Sequence, residues 1–276
     1  MQIWTTKKIL LDLNKKEKES FQFKTYTVDS KGQTLDETEF DLNSNIVCKR
    51  IYRYFEDGEV EEYIEYDPLD ELLERHIHVK NEYGEIDRIE YQFSGGHKSI
   101  KEFSFTDVGN ADKAEIRNEA GEITGYEIYV LNENGLVGWV IELDAYENEI
   151  SKCEKEYLKN GLISREKSFS DGQASKEEKF EYDDKGNLTK KTFRNYFDNI
   201  ELIDLYHYDD HNNMIYNCSH QNGVLVFENK CGYDQNNQLV LEEFFELDFL
   251  ERKIIRHERL KHELKEQITS LNTTYQ

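Results

Sequence analysis

The chain has 276 residues, of which 37% are hydrophobic and 34% charged, and its formal net charge is -23. This acidic excess argues strongly against nucleic acid as a direct partner and against an anionic membrane surface, because both need clustered lysine and arginine. A basic protein partner is compatible with it, and so is a purely solubilising role for the charge.

Residues 1–25 do not follow the pattern of the rest of the chain. The segment 7–14 is predicted to be a first strand or a short capping helix, because repeat arrays need atypical ends to cover the apolar surface of the terminal unit. The first residues include no long apolar stretch and no small-residue cleavage site. No secretory signal is therefore predicted, and a cytoplasmic location is expected.

From residue 26 to residue 250 the chain repeats one phrase. Its clearest copies are YDDKGNL at 182–188, YDDHNNM at 208–214 and YDQNNQL at 233–239. Another copy is expected at 105–110, and a weaker one at 93–96. Further turn phrases lie midway between these, as at Gly58 and Gly121, so turns recur about every 13 residues and the 25–26-residue unit is a two-strand hairpin.

The chemistry of the phrase predicts a hairpin turn. Asp and Asn side chains bond nearby backbone amides, and Gly or Asn adopts the left-handed conformation that closes a short loop. Between turns, aromatic, Thr and charged residues alternate with a period of two, which is typical of strands. We therefore predict an all-β protein of roughly seventeen strands. Its fold is expected to be an elongated antiparallel β-meander, twisted or coiled into a partial solenoid, with short terminal caps.

Residues 251–276 are predicted to form a last strand or a cap helix, followed by a tail. Leu260, Leu264 and Ile268 are spaced as on one face of a helix. The tail at 272–276 is expected to fray. The division of the chain is thus a cap at 1–25, a hairpin array at 26–250 and a terminal segment at 251–276.

Catalytic and metal-binding motifs are scarce. His76 and His78 lie two apart on a predicted strand, and Glu74 shares their face, so the three could ligate a metal; exposed strand histidines without such a role are the more common case. The acidic pairs recur with the turns, so they indicate solvated turn carboxylates and not an acid–base pair in a cleft. No cofactor, no metal and no enzymatic activity are predicted.

Aromatic residues are the best candidates for binding. The chain has 18 Tyr, 15 Phe and 2 Trp, and aromatic anchors within a charged rim are typical of protein interfaces. Trp139, Tyr182, Tyr208 and Tyr233 are the predicted binding residues. The four cysteines, Cys48, Cys153, Cys218 and Cys231, lack CxxC spacing and are interpreted as free thiols of a cytosolic protein.

The phrase at 182–188 resembles the YD repeat of the Rhs and teneurin proteins, and in outline the resemblance covers most of the chain. It implies a continuous antiparallel sheet of hairpins. In Rhs proteins such a sheet spirals into a shell that houses a toxin domain, but this chain is far shorter than those shells. The turn spacing is also similar to the MORN-type repeats of bacterial YwqK-like antitoxin proteins. Both resemblances favour a bacterial intracellular interaction protein over an enzyme.

These observations predict a protein-binding repeat module. The first hypothesis is an acidic immunity (antitoxin) protein that occludes a basic toxin. One alternative is a structural or scaffold repeat protein, or a fragment of an Rhs-like shell. Another is a carbohydrate-binding protein, in which Tyr and Trp would stack on sugar rings.

Overall fold

A computed structural model describes residues 1–12, 15–105, 111–251 and 253–267. These residues form twenty strands in one sheet, in which every strand is antiparallel to the strands beside it in sequence. A 3-10 helix at Ser94–Gly96 is the one helix of the described residues. The predicted all-β antiparallel meander is confirmed. The turn copy at 106–110 and the tail at 272–276 lie outside the described residues.

The strands alternate in direction from one end of the chain to the other. They are β1 (Gln2–Leu11), β2 (Glu17–Val28), β3 (Thr34–Phe40), β4 (Ile46–Tyr54), β5 (Val60–Tyr66), β6 (Leu72–Lys80), β7 (Ile86–Phe93), β8 (Lys98–Phe105), β9 (Ala111–Asn118), β10 (Ile123–Leu131), β11 (Val137–Asp144), β12 (Glu149–Tyr157), β13 (Ile163–Ser170), β14 (Gln173–Tyr182), β15 (Leu188–Asn195), β16 (Ile200–Tyr208), β17 (Met214–Gln221), β18 (Val224–Tyr233), β19 (Leu239–Leu247) and β20 (Ile254–Gln267).

The sheet closes on itself, because β1 pairs with β20 as well as with β2. The closing pairs run from Gln2 opposite Gln267 to Leu10 opposite Glu258. The result is a closed cylinder of twenty strands, so the prediction of an open twisted sheet or partial solenoid was wrong. The repeated phrase specifies each hairpin, but it carries no signal for which strand the first and last strands will meet.

For the two ends of the chain the strand alternatives are confirmed and the capping helices were wrong, since β1 and β20 are strands of the same sheet. β1 and β2 occupy most of the segment expected to cap the N-terminus, and β20 occupies the expected cap helix. Leu260 and Leu264 are four residues apart, a spacing that places side chains on one face of a strand as well as of a helix. Because the seam between β1 and β20 pairs both terminal strands, no cap is needed to cover them.

The turn chemistry predicted from the phrase is confirmed. In the turn after β14 the backbone amide of Asp183 donates to the carbonyl of Asn187 at 2.9 Å, and the amide of Gly186 donates to the carbonyl of Asp183 at 3.0 Å. The Asp183 carboxylate accepts from the amides of Lys185 at 2.9 Å and Asn187 at 2.8 Å. Gly186 has a φ of 88°, the left-handed conformation that such a turn requires.

The tyrosine before each of these turns has a structural role that the sequence did not reveal. The hydroxyls of Tyr182, Tyr208 and Tyr233 donate to backbone carbonyls in the preceding strand, those of Ile163, Leu188 and Met214, at 2.9, 2.9 and 3.0 Å. Tyr54 and Tyr157 make the same bond in other repeats. Each ring therefore spans the strand beside it and fixes one hairpin against the next.

The cylinder has no close-packed core. The chain exposes 17377 Å², whereas a compact protein of 32.9 kDa is expected to expose about 12,500 Å². Among the described residues nine hydrophobic side chains are buried, and five of them lie on β1, β2 and β19 around the seam: Trp4, Ile9, Leu11, Val28 and Phe245. A closed sheet with this many strands is too wide for its own side chains to fill. Both faces of the sheet are therefore accessible.

No helix formed by the described residues is long and apolar enough to cross a membrane.

Candidate protein-binding surfaces

One end of the cylinder carries a row of exposed carboxylates, which we call the acidic rim. In an up-and-down sheet, the turns that follow even-numbered strands all lie at the same end. The second residue of five of these turns is acidic and exposed. These residues, after β4, β6, β10, β14 and β16, are Glu56, Glu82, Glu133, Asp184 and Asp210.

The acidic rim keeps a net negative charge although Lys31, Lys159 and Lys185 lie in turns at the same end. Lys31 Nζ donates to the backbone carbonyl of Glu56 at 3.0 Å and leaves the Glu56 carboxylate without that partner. The chain has 58 acidic residues against 35 lysines and arginines, and many basic side chains pair within the strands, as Arg50 does with Glu37 at 2.6 Å. None of the five rim carboxylates pairs with a Lys, Arg or His within the described part of the chain.

Where a turn begins with two acidic residues, the carboxylate of the first accepts the hydrogen bonds that close the turn, and the carboxylate of the second does not. Side-chain hydrogen bonds from Asn187 and Asn213, together with backbone amides, hold the pKa of Asp183 and Asp209 below the usual range. Asp184 and Asp210, the next residues, have no such turn bonds and face solvent. The second position therefore presents charge that a partner can use.

A second surface is a row of rings on one face of β4 to β7, which we call the tyrosine strip: Tyr52, Tyr63, His76, Tyr91 and Phe93. Each of the first four members lies directly opposite the next one in the neighbouring strand. Their ring centroids are 5.4, 5.6 and 4.8 Å apart. Phe93 adds a ring parallel to Tyr91 at 6.3 Å.

Carboxylates line the tyrosine strip. The Tyr63 hydroxyl donates to Glu65, and His76 Nε2 is hydrogen-bonded to Glu74. Burial raises the pKa of Tyr63 and Tyr91, and nearby carboxylates raise it further, Glu65 at Tyr63 and chiefly Glu127 at Tyr91. Carboxylates that disfavour the phenolate create a negative potential at the rings, and this potential favours a cation.

The predicted binding residues do not converge on one site. Tyr182, Tyr208 and Tyr233 lie near the end that bears the acidic rim, with their hydroxyls bonded to the backbone. Trp139 is on β11, where its ring is 6.0 Å from that of Phe169 and Lys152 Nζ is 6.0 Å from its centroid. Their role in binding remains a prediction.

Sequence reasoning missed the tyrosine strip because its register depends on bulges. Residues at equal distances from a turn face each other across a regular hairpin. Counting outward from the turn after β4 would place Tyr52 opposite Glu62, and counting from the next turn would place Tyr63 opposite Arg75. The actual partners, Tyr63 and His76, lie one residue further along, because a bulge beside each turn shifts the register. Turn spacing alone therefore does not find the row.

The three residues considered for a metal lie on β6 as expected. His76 contacts Glu74 and packs between Tyr63 and Tyr91, while burial lowers the pKa of His78, which is hydrogen-bonded to the Val60 backbone. No group of three or more His, Cys, Asp and Glu among the described residues is arranged to hold a metal ion. The four cysteines are free thiols in the structure.

Comparisons with known proteins give no family. No protein-family model matches the chain, and no curated protein matches it. Two similar solved structures differ in size. In the complex TcdB2-TccC3-Cdc42, the match has 13% identity and a TM-score of 0.30, covering 85% of this chain and 15% of that one. The match to a porin-like protein from Bacteroides uniformis has 10% identity and a TM-score of 0.42, and it covers 96% of this chain and 97% of that protein.

The chain thus spans a small part of the toxin-complex chain that it matches. At these identities and TM-scores, neither likeness supports an argument about function. The repeated β fold stands on the described structure, and membership of the YD-repeat proteins remains a prediction.

Proposed function

We propose that the protein is a protein-binding module for a basic partner, and that it acts as an immunity protein that occludes a basic toxin. The acidic rim is the observation that carries this proposal. Its five carboxylates are exposed and share one end of the cylinder. A negative field of this kind accelerates the encounter with a positive surface and suppresses binding of acidic proteins.

The closed sheet determines how such a partner would be held. Every strand of the cylinder is paired on both sides, so no strand edge is free to accept an added strand from another protein. Binding must then use side chains on the rims and on the two faces. A hydrogen-bonded cylinder also presents these side chains from fixed positions, which reduces the entropy lost on binding.

The same closure gives less support to a scaffold function. A fragment of a continuing shell needs unpaired strand edges at which the next segment can add. Here β1 and β20 use those edges on each other.

The proposal predicts that neutralising the acidic rim slows partner binding. The rim variant carries Glu56→Gln, Glu82→Gln, Glu133→Gln, Asp184→Asn and Asp210→Asn. Against the basic partner recovered with the wild-type chain, its association rate at low salt should fall by about tenfold or more, and its salt dependence should weaken. Stopped-flow or surface-binding kinetics at several salt concentrations measure both quantities.

The matched control removes five charges from exposed turns at the other end: Glu119→Gln, Glu122→Gln, Glu147→Gln, Asp171→Asn and Asp198→Asn. It has the same net charge as the rim variant, so a smaller effect identifies the acidic rim and not total charge. Equal effects would contradict the assignment to this rim. A pull-down from the source organism that returns no basic protein at low or moderate salt would contradict the proposed function itself.

A further inference from the structure

We propose that the tyrosine strip binds arginine side chains of the basic partner. This inference rests on the proposed function and names the chemical group that the sheet face recognises. A guanidinium would stack on the rings of Tyr91 and Phe93 while the carboxylate of Glu74 accepts its hydrogen bonds.

The required groups are close together and accessible. Glu74 lies directly opposite Phe93, and His76 directly opposite Tyr91, in the pairing of β6 with β7. Phe93 is 40% exposed and the Glu74 side chain 38% exposed. A carboxylate therefore lies beside an open ring, and this is the arrangement in which stacking and ion pairing act on one guanidinium.

The tyrosine strip is open to a cation from another protein, unlike many other rings of the sheet. Elsewhere the chain places its own lysines over its rings, with Lys101 Nζ 5.1 Å from the Phe103 centroid, Lys152 Nζ 6.0 Å from that of Trp139 and Lys191 Nζ 5.6 Å from that of Phe180. Among the described residues, no lysine or arginine lies in this way over any ring of the strip. The faces of these rings are thus not covered by a lysine or arginine from the described part of the chain.

The charges around the tyrosine strip favour a cation over other ligands. Glu65, Glu74 and Glu127 border the rings. Arg50 is bound to Glu65 at 3.1 Å and Lys101 to Glu127 at 2.7 Å, whereas the partner of Glu74 is the imidazole of His76. An anionic ligand would meet repulsion here, and an uncharged one would gain stacking alone. Arginine is favoured over lysine because the planar guanidinium can stack and hydrogen-bond at the same time, whereas an ammonium is a point charge.

The test uses nona-arginine and nona-lysine as probes, with affinities measured by calorimetry at moderate salt. Wild-type protein should bind nona-arginine about fivefold more tightly than nona-lysine. The strip variant, Tyr91→Leu with Glu74→Gln, should lose this preference and bind nona-arginine about tenfold more weakly. Glu74→Gln alone keeps every ring and serves as the second variant, with an expected loss of about threefold.

The control variant, Tyr146→Leu with Glu147→Gln, makes the same two chemical changes at exposed turn residues away from the strip; Tyr146 is 87% exposed. It should change the nona-arginine affinity less than twofold and keep the preference for arginine. Equal affinities of the wild-type protein for the two peptides, or equal effects of the strip and control variants, would overturn the inference.

Failure here is distinguishable from failure of the proposed function. If the strip variant binds the recovered basic partner like the wild type while the rim variant does not, arginine recognition by the strip is wrong and the proposed function stands. If the wild-type chain recovers no basic partner but still prefers nona-arginine through the strip, the arginine site stands and the immunity role falls.

Discussion

Replacing Glu258 with alanine should destabilise the protein by about 3–5 kcal/mol, the usual cost of removing one partner of a buried ion pair. Glu258 is 5% exposed on β20. It contacts Lys8 of β1 at 2.8 Å and Arg256 at 2.8 Å. Lys8 is itself largely buried, so the variant leaves an ammonium without its carboxylate at the seam that closes the sheet. Urea unfolding measures the loss.

Two further variants test that explanation. Glu251 pairs with Lys253 at 2.8 Å, but both side chains are more than half exposed, so Glu251→Ala should cost less than about 1 kcal/mol. The double variant Lys8→Met with Glu258→Leu removes both buried charges and should recover most of the loss, because a well-packed apolar pair replaces a desolvated ionic one. A cost for Glu258→Ala no greater than that for Glu251→Ala would contradict the described seam.

Stability should fall steeply below about pH 4, with a loss of about 10 °C or more in the unfolding temperature by pH 3. The hydrogen bond from His262 holds the pKa of Glu242 below its usual range. At Glu258, burial alone would raise the pKa, but the bonds from Arg256 and Lys8 outweigh it and lower the pKa. The turn carboxylates Asp183 and Asp209 have lowered pKa values as well.

The direction of this change in stability with pH follows from how many protons the folded and unfolded chains bind. A carboxylate whose pKa is lower in the folded chain binds more protons when the chain unfolds, so its stabilisation is complete above the ordinary pKa, near 4, and is lost as the pH falls through the folded value. Relief of repulsion among the acidic side chains acts in the opposite direction as they are protonated. Thermal unfolding followed by circular dichroism between pH 8 and pH 3 measures which of these two opposing effects on stability is larger. An unfolding temperature that rises steadily to pH 3 would contradict it.

The hairpins were predictable from sequence because their determinants are local. Asp183, Gly186 and Asn187 specify one turn through contacts within five residues, and the same phrase recurs along the chain. Closure was not predictable in this way. It depends on β1 meeting β20 across the whole length of the chain, and contacts such as Thr6 with His262, 3.0 Å apart, leave no periodic mark in the sequence.

The candidate surfaces likewise combine features that are visible in the local sequence with features that depend on the arrangement of distant strands. The excess of acid was visible in the composition, but the alignment of five exposed carboxylates in the acidic rim depends on alternate turns sharing one end of the cylinder. Tyr182, Tyr208 and Tyr233 drew attention because they recur, and the structure gives that recurrence a packing cause, the bond from each hydroxyl to the neighbouring strand. His76 was considered with His78 and Glu74 for a metal site, whereas its place in the tyrosine strip depends on the register of β5, β6 and β7.

The closure of the sheet is tested most directly by one distance across the seam. Lys7 and Lys261 are exposed and directly opposite each other in β1 and β20. Spin labels on Lys7→Cys and Lys261→Cys, in a chain whose four natural cysteines are serine, report their separation by electron resonance. A closed sheet predicts a separation of about 20 Å or less, most of it due to the label arms, because paired strands are about 5 Å apart. An open sheet of twenty strands would separate its edges by up to about 90 Å, and a distribution centred far beyond 20 Å would contradict the closed cylinder.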